Sequence, residues 1–191
     1  MIYTLQGILS EKRDGFVILD VQGVGYRVFT PKSVLEKLPS AGSPLKFYCY
    51  MNVRENGTEL YGFLSETERK MFELLTSVSG VGPKTAARVL DVASIEQVAG
   101  AIHAGKAELL TKASGVGRKT AERVVIELRG KMEGFADKDI AKTMESDVDI
   151  TEALSNLGYS KSDAREALKK IDPELTKLEE RLRASLKFLK K

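Results

Sequence analysis

The stretch SGVGPKTAARV occupies residues 79–89, and a close copy, ASGVGRKTAERV, occupies residues 113–124. In each copy two glycines flank a valine, and a Lys-Thr pair follows. The copies lie 115 − 80 = 35 residues apart, and a Leu-Leu-Thr stands shortly before each of them. A repeat of this length is one supersecondary unit used twice. The centre of the chain is therefore predicted to hold two hairpins, each made of a helix, a Gly-Val-Gly turn and a second helix.

Each turn is suited to bind an anion. Glycine adopts positive φ readily and lets an external group approach the main chain closely. The first amides of the following helix lack partners within that helix, and the helix dipole is positive at this end. Pro83 fits the first copy because it has no amide hydrogen to leave unpaired. Lys84 and Lys119 add positive charge, so each turn is predicted to bind a phosphate, with its valine pointing inward.

This phosphate is not expected to belong to a nucleotide. A P-loop needs glycine directly before the Lys-Thr pair, where this chain has Pro83 or Arg118. A dinucleotide-binding fingerprint needs a third glycine, where Thr85 and Thr120 stand. A nucleic-acid backbone offers phosphates in repeated copies, and contacts to it position a protein without reading sequence. Purely structural hairpins remain the alternative, but the doubled Lys-Thr and the arginine after it favour DNA.

The N-terminal part, residues 1–63, is predicted to be a small β-barrel. It is rich in Val, Ile, Tyr and Phe, and Asn56-Gly57 separates two such runs as in a tight hairpin. A short helical piece is expected at residues 31–38. About five short strands are too few for a sandwich, so a Greek-key barrel of OB type is the better interpretation.

The remaining chain is predicted to be helical in two parts. Residues 64–132 hold the tandem hairpins, with a capping box at Ser65. Residues 133–149 are acidic and poor in apolar side chains, as in a flexible linker. Residues 150–191 are expected to form a three-helix bundle. Its first helix is predicted to stop at Gly158-Tyr159, its second to be capped by Ser160, and its third to open at Asp172-Pro173. The predicted fold class is thus multidomain α+β.

Composition narrows the classes of function further. The 191 residues carry a net charge of +3, which permits nucleic-acid binding without requiring it. No apolar run approaches the roughly 20 residues of a membrane span, and the start MIYTLQGILSEKR does not resemble a secretory signal. The single cysteine, Cys49, fits a reducing cytoplasm and a buried strand position. His103 has no cysteine or acid cluster beside it, so no metal or cofactor is expected.

Taken in order, these features resemble the RuvA family, the Holliday-junction-binding subunits of the bacterial branch-migration complex. The resemblance covers GVGYRV at residues 23–28, VRENGTELYGF at 53–63, the tandem turns, the polar linker and the helical C-terminus. It implies a non-catalytic, sequence-independent DNA-binding subunit that acts in recombination and repair as a tetramer, with one or two tetramers on a junction. It also implies that residues 150–191 bind a RuvB-type hexameric ATPase, and it leaves open a RuvC-type resolvase as a further partner.

The family's functional residues can be carried over one by one. Glu55 matches an acidic pin that points into the crossover of the junction, whereas Asn56 stands where a second acid is common. Glu59 lies across the turn and is a candidate to replace the missing charge. The positions that match the phosphate-binding turns are Gly80, Gly82, Lys84, Thr85, Gly115, Gly117, Arg118, Lys119, Thr120 and Arg123.

Two alternatives come from other classes. A repair nuclease or glycosylase could use the hairpins only for docking, but the chain shows no cluster of acids or histidines for catalysis. A single-strand binder could instead stack bases on barrel tyrosines such as Tyr48, Tyr50 and Tyr61.

Overall fold

The computed structural model describes residues 1–55, 57–132, 134–135, 147, 149–168, 170–171, 175 and 178–189. In this part of the chain a five-stranded barrel is followed by helices, as the sequence predicts.

The barrel closes in the strand order β1-β2-β3-β5-β4. Neighbouring strands are antiparallel except β3 and β5, whose parallel pairing closes the sheet. Apolar side chains alternate along the strands, so that Val17 and Leu19 on β2 are fully buried while Ile18 between them is only partly covered. The strands are β1 Thr4–Arg13, β2 Phe16–Val21, β3 Val24–Phe29, β4 Pro44–Arg54 and β5 Gly57–Phe63.

Six helices lie between residues 32 and 128. The first stands between β3 and β4, and the other five follow the last strand of the barrel. The helix expected at residues 31–38 is shorter than predicted, because only its first turn is α-helical. Serine caps start two of the helices with complete capping boxes, at Ser65 as predicted and also at Ser94. The helices are α1 Lys32–Leu35, α2 Glu66–Ser77, α3 Pro83–Leu90, α4 Ile95–His103, α5 Ala107–Leu110 and α6 Arg118–Leu128, with a 3₁₀ turn at Arg129–Lys131 after the last.

The barrel and these helices share one apolar core. Phe72 of α2 lies at the junction and is fully buried. Its ring centroid is 5.2 Å from that of Tyr50, 5.1 Å from Tyr61 and 4.9 Å from Phe63, all on the barrel. Such ring pairs contribute beyond their buried area, so α2 and the hairpin that it starts are held firmly against β4 and β5.

The C-terminal part has a small core of its own around Ile150, Leu154 and Ala164. Its helices are α7 at residues 149–156, α8 Lys161–Leu168 and α9 Leu178–Leu186. The first helix stops at Gly158, which has a φ of 92°, and Ser160 caps the second by accepting from the Asp163 amide at 3.1 Å. Both features follow the sequence prediction.

The predicted fold class, a barrel followed by tandem hairpins and a small helical C-terminal domain, is confirmed. The predicted linker, except for residues 134, 135, 147 and 149, and the predicted helix start at Asp172-Pro173 lie outside the described residues. Within the described ranges, no helix combines the length and the apolar character that crossing a bilayer requires.

Candidate nucleic-acid interface

The two Gly-Val-Gly turns have the same backbone conformation. The first glycine of each turn has a positive φ, 88° at Gly80 and 86° at Gly115. The second glycine is the N-cap residue of the next helix, with φ and ψ of −83° and 169° at Gly82 and −76° and 164° at Gly117. Only the first glycine therefore needs the left-handed region that side chains avoid. The second is extended, so its lack of a side chain needs another reason.

Hydrogen bonds repeat with the same offset as the sequence. The Val81 amide donates to the Val78 carbonyl at 3.0 Å, and the Val116 amide donates to the Ala113 carbonyl at 3.0 Å. Both valines are buried, with 5% and 6% of their surface exposed, as the inward orientation predicted from the sequence requires. The turns are thus built alike, although α2 has twelve residues and α5 only four.

The helix starts present main-chain donors to the outside. Gly82 and Gly117 provide no side-chain cap, and the first helical hydrogen bonds accepted there come from Ala86 and Ala121. The amides between cap and first bond have no acceptor inside a helix. Both N-cap glycines are exposed, and so are Gly80, Gly115 and the two lysines that follow, Lys84 and Lys119. Thr85 and Thr120 are half-buried one position further on. Solvent can therefore reach each predicted phosphate site.

Two arginines cross between the hairpins. Arg123 of α6 donates from Nη1 to the Ser79 carbonyl in the first turn at 3.0 Å. Arg88 of α3 donates from Nη1 to the Ser114 carbonyl in the second turn at 3.2 Å. The sequence predicts Arg123 beside the second turn, whereas the structure brings its guanidinium to the first. Arg88 is not among the predicted site residues, although the 35-residue offset makes it the counterpart of Arg123.

Arg118 differs from the other predicted contacts. It occupies the first position of α6, where the first hairpin has Pro83. Its Nε donates to Glu122 Oε1 at 2.9 Å, and this hydrogen bond and charge raise the pKa of the arginine. The positive charge of Arg118 is thus partly balanced by a carboxylate on its own helix.

The tip of the β4–β5 hairpin carries the predicted acidic pin. Arg54 pairs with Gly57, and Glu55 is exposed at the turn between them. Asn56 lies outside the described residues. The carboxylate of Glu59 is bonded to side chains of the two strands. Its Oε2 accepts from Asn52 Nδ2 at 3.2 Å and from the Tyr61 hydroxyl at 3.1 Å. Glu59 is therefore not free to replace the missing acid at the tip.

Three family descriptions match the chain in order. "RuvA N terminal domain" matches residues 1–62, "SAM-like Helix-hairpin-helix tandem" matches residues 72–131, and "RuvA, C-terminal domain" matches residues 148–190. Curated relatives align over the whole chain and over their own full length. They include proteins of Thermoanaerobacter sp. (strain X514) and Dechloromonas aromatica (strain RCB), each 40% identical, and of Polynucleobacter necessarius subsp. necessarius (strain STIR1), 38% identical. The chain belongs to the RuvA family. Each of these relatives is named "Holliday junction branch migration complex subunit RuvA".

The structure of this RuvA-family chain argues against base stacking on the barrel tyrosines. Tyr61 is 3% exposed, and both Tyr50 and Tyr61 pack against Phe72. Tyr48 is partly buried, with Lys46 Nζ 5.1 Å from its ring centroid. Tyr61 is therefore closed to a base, and Tyr48 and Tyr50 are only partly exposed for the stacking that single-strand binders use.

Two residues to which the sequence assigns no binding role, Cys49 and Asp91, have structural roles in this RuvA-family fold. Cys49 is fully buried, and this burial raises the pKa of its thiol to about 11. Asp91 accepts from the Ser33 amide at 2.9 Å and so joins α3 to α1. His103 is the last residue of α4. Among the described residues no group of His, Cys, Asp and Glu is arranged to hold a metal ion.

Proposed function

We propose that this chain binds four-way DNA junctions through the sugar-phosphate backbone, without reading base sequence. The observation that carries the proposal is the pair of matched, exposed turns, each with main-chain donors and a lysine at a helix start. The names of the curated relatives support the junction as the form of DNA.

Each turn is suited to bind one phosphate. The unpaired amides at the start of α3 and α6 donate to the phosphate oxygens, and the helix dipoles add favourable potential. The extended glycine at each N-cap leaves open space where a side chain would otherwise stand, since a Cβ at Gly82 or Gly117 would meet nothing within 4 Å. This space allows a backbone phosphate to approach closely. Lys84, Lys119, Thr85 and Thr120 add charge and hydroxyl donors at the same places.

The acidic hairpin tip supplies the junction preference. Glu55 is exposed at the end of β4, away from the shared core. A carboxylate placed where phosphate backbones converge repels them, which opposes tight binding but keeps the strands separate. With Asn56 beside it, this chain has one carboxylate fewer at the tip than the family pattern implies.

The chain is proposed to act as the non-catalytic subunit of a motor complex. A homotetramer would place four hairpin tips at the crossover, with one or two tetramers on a junction. The C-terminal part would bind a RuvB-type hexameric ATPase, and a RuvC-type resolvase is a further partner that the resemblance leaves open. We place this activity in the cytoplasm. Exposed apolar side chains in the C-terminal part fit a partner surface; they are Leu157, Leu178, Leu186 and Phe188.

A competition experiment tests the junction preference. The full-length chain is mixed with a labelled four-way junction and increasing amounts of unlabelled junction, duplex or single strand of the same sequences. We expect the unlabelled junction to compete best, and a second junction of unrelated sequence to compete equally well. Preference for single strand would favour the barrel-binding alternative, and preference for one sequence would contradict backbone recognition.

Native mass measurement of the same samples gives the number of subunits. Cleavage of junction or flap DNA in the presence of Mg²⁺ would favour the nuclease alternative.

A C-terminal truncation tests the motor interaction. Because the C-terminal helices pack around their own core, removing residues 150–191 leaves the shared core of barrel and hairpins intact. We expect junction binding to persist and stimulation of a RuvB-type ATPase to disappear. The single substitution Leu157→Asp, at a residue that is 64% exposed, is expected to reduce stimulation in the same way without unfolding the helix. Failure of the truncated chain to bind junctions would contradict this division of roles.

A further inference from the structure

We propose that Arg88 and Arg123 are crossed positioning residues, each of which braces the phosphate-binding turn of the other hairpin. Two symmetric hydrogen bonds carry the inference. Arg123 Nη1 lies 3.0 Å from the Ser79 carbonyl, and Arg88 Nη1 lies 3.2 Å from the Ser114 carbonyl. The bonds join residues 44 and 26 positions apart, so neither arises from local chain geometry.

Each arginine lies next to the first glycine of the opposite turn. A Cβ built on Gly115 would lie 3.2 Å from Arg88 Nη1, and one built on Gly80 would lie 3.8 Å from Arg123 Nη1. Each guanidinium therefore lies against the left-handed glycine of the opposite turn. At Gly115 the absence of a side chain thus serves two needs, the positive φ and the close approach of Arg88, whereas at Gly80 the distance is that of an ordinary contact and only the positive φ requires glycine.

Because the arginines cross, the two positive charges at each turn come from different hairpins. The first turn receives Lys84 from its own hairpin and Arg123 from the second hairpin. The second turn receives Lys119 from its own hairpin and Arg88 from the first. A guanidinium has five N–H donors, so one bond to a carbonyl leaves others, and both arginines reach solvent at least in part. Each can hold its turn and still present positive charge beside the main-chain amides.

This arrangement couples the two phosphate sites mechanically. A turn held only by its own helices could shift without its neighbour, but here each turn is also held by a side chain rooted in the other hairpin's second helix. The spacing between the sites then depends on both arginines. A backbone-binding protein needs a defined spacing, because successive phosphates along and across the grooves lie at set positions.

Hydrogen exchange of the DNA-free protein tests the bracing directly. The reporters are the amides of Val81 and Val116, each of which donates at 3.0 Å within its own turn. Arg123→Ala is expected to raise exchange at Val81 roughly two- to tenfold, the range that one hydrogen bond supports, and to leave Val116 unchanged. Arg88→Ala is expected to do the reverse. The two variants are matched controls for each other, since both remove one arginine from the same fold.

The outcomes of this experiment are decisive without any DNA. A response at the amide of the arginine's own hairpin, at both amides equally, or at neither would overturn the crossed bracing. The charge-retaining variant Arg123→Lys separates bracing from charge, because the lysine side chain ends one bond short of the position of Arg123 Nη1, the atom that bonds the Ser79 carbonyl. We expect Arg123→Lys to raise hydrogen exchange at the Val81 amide nearly as much as Arg123→Ala does. An exchange rate at Val81 in Arg123→Lys equal to that of the wild type would contradict the bracing geometry.

A double-mutant cycle on junction DNA tests the charge assignment, which rests on the proposed function. Binding is measured for Lys84→Ala, Lys119→Ala and Arg123→Ala, singly and in pairs. The pair Lys84 and Arg123 serves one turn, so its combined loss of affinity is expected to fall at least about threefold short of the product of the single losses. The pair Lys119 and Arg123 serves different turns, so its losses are expected to come closer to multiplying than those of Lys84 and Arg123, although the two are i,i+4 neighbours on α6. The opposite pattern would overturn the assignment. If the wild-type chain fails to bind junctions at all, the proposed function fails while the exchange result still stands.

Discussion

Arg118 Nε donates to Glu122 Oε1 at 2.9 Å, so one of the cations predicted to bind phosphate is already paired along its own helix. The first hairpin has no equivalent pair, because Pro83 and Ala87 occupy the matching positions. The two turns therefore share a backbone geometry but differ in the charge that surrounds them.

Glu122→Gln is expected to strengthen DNA binding. The substitution removes a negative charge near the second turn and releases the guanidinium of Arg118. Exposed ion pairs contribute little to stability, so the gain appears mainly as affinity, roughly two- to fivefold, with a steeper dependence on salt. Glu127→Gln on the same helix is the control, because Glu127 is also exposed but lies further from the turn. Equal effects from both variants would point to net charge alone.

Lys119→Ala is expected to weaken binding to all junction sequences alike. If the lysine neutralises one phosphate, its removal should reduce the slope of log affinity against log salt by about one. Lys32→Ala is the matched control, because Lys32 is exposed on α1, which is joined to the C-terminal end of α3 rather than to its phosphate-binding start. Weakening confined to certain sequences would argue against backbone recognition.

Gly117→Ser is expected to separate folding from binding. Gly117 has ordinary extended torsions and open space around it, and serine is at least as good an N-cap as glycine. The melting temperature should therefore stay the same or rise slightly. DNA affinity should fall roughly tenfold or more, because the side chain obstructs a phosphate that approaches the amides. Gly130→Ser, outside the turns, is expected to change neither property.

Gly115→Ala, unlike Gly117→Ser, is expected to reduce both stability and binding. Its φ of 86° disfavours any side chain, and the new Cβ would lie 3.2 Å from Arg88 Nη1. We expect a loss of stability of about 1–2 kcal/mol, measured by thermal or urea unfolding, with weaker DNA binding as a consequence. Stability equal to that of the wild type would show that the turn relaxes without its glycine.

Glu55→Lys is expected to increase affinity for duplex DNA and to reduce the preference for junctions. The cause is the removal of repulsion at the hairpin tip, where strands converge. Binding to junction and duplex is compared at the same salt concentration, and Glu36→Lys serves as a control for the change in net charge, since Glu36 is exposed at the end of α1. An unchanged ratio would reduce Glu55 to an ordinary turn residue.

Cys49 is expected to make stability fall at high pH. Burial raises the pKa of its thiol from 9.0 to about 11. The folded state therefore holds the proton more tightly than the unfolded state, so this contribution is complete below about pH 9 and is lost as the pH rises through about 11. At most it amounts to roughly 2–3 kcal/mol. Unfolding of wild type and Cys49→Ala is compared between pH 8 and 11, and parallel curves would exclude the effect.

Local patterns were sufficient for most of the fold. The Asn-Gly pair predicted the β4–β5 hairpin, the serine caps predicted the starts of α2 and α8, and the Gly-Val-Gly repeats predicted both turns. These signals work because they depend on torsion preferences and on hydrogen bonds between residues a few positions apart. The length of α1 was overestimated, since the amides of Lys37 and Leu38 bond to carbonyls three residues back, at Val34 and Leu35, and so form turns instead of continuing the α-helix.

That two like turns each present free amides and a lysine follows from the amino-acid order alone, because a helix start and a glycine impose that chemistry wherever they occur. Two pairings instead depend on how the chain folds in space: which arginine serves which turn, and the hold of Asn52 on Glu59 across the β4–β5 hairpin. The bond of Arg118 to Glu122 is local, because the two residues lie four positions apart on one helix. The physical reason is that a side chain bonds to groups that lie near it in space, whatever their separation along the chain. A guanidinium or carboxylate binds whatever group the fold brings within about 3 Å, and for Arg88 and Arg123 that partner lies on the other hairpin, at a separation along the chain that no local pattern encodes.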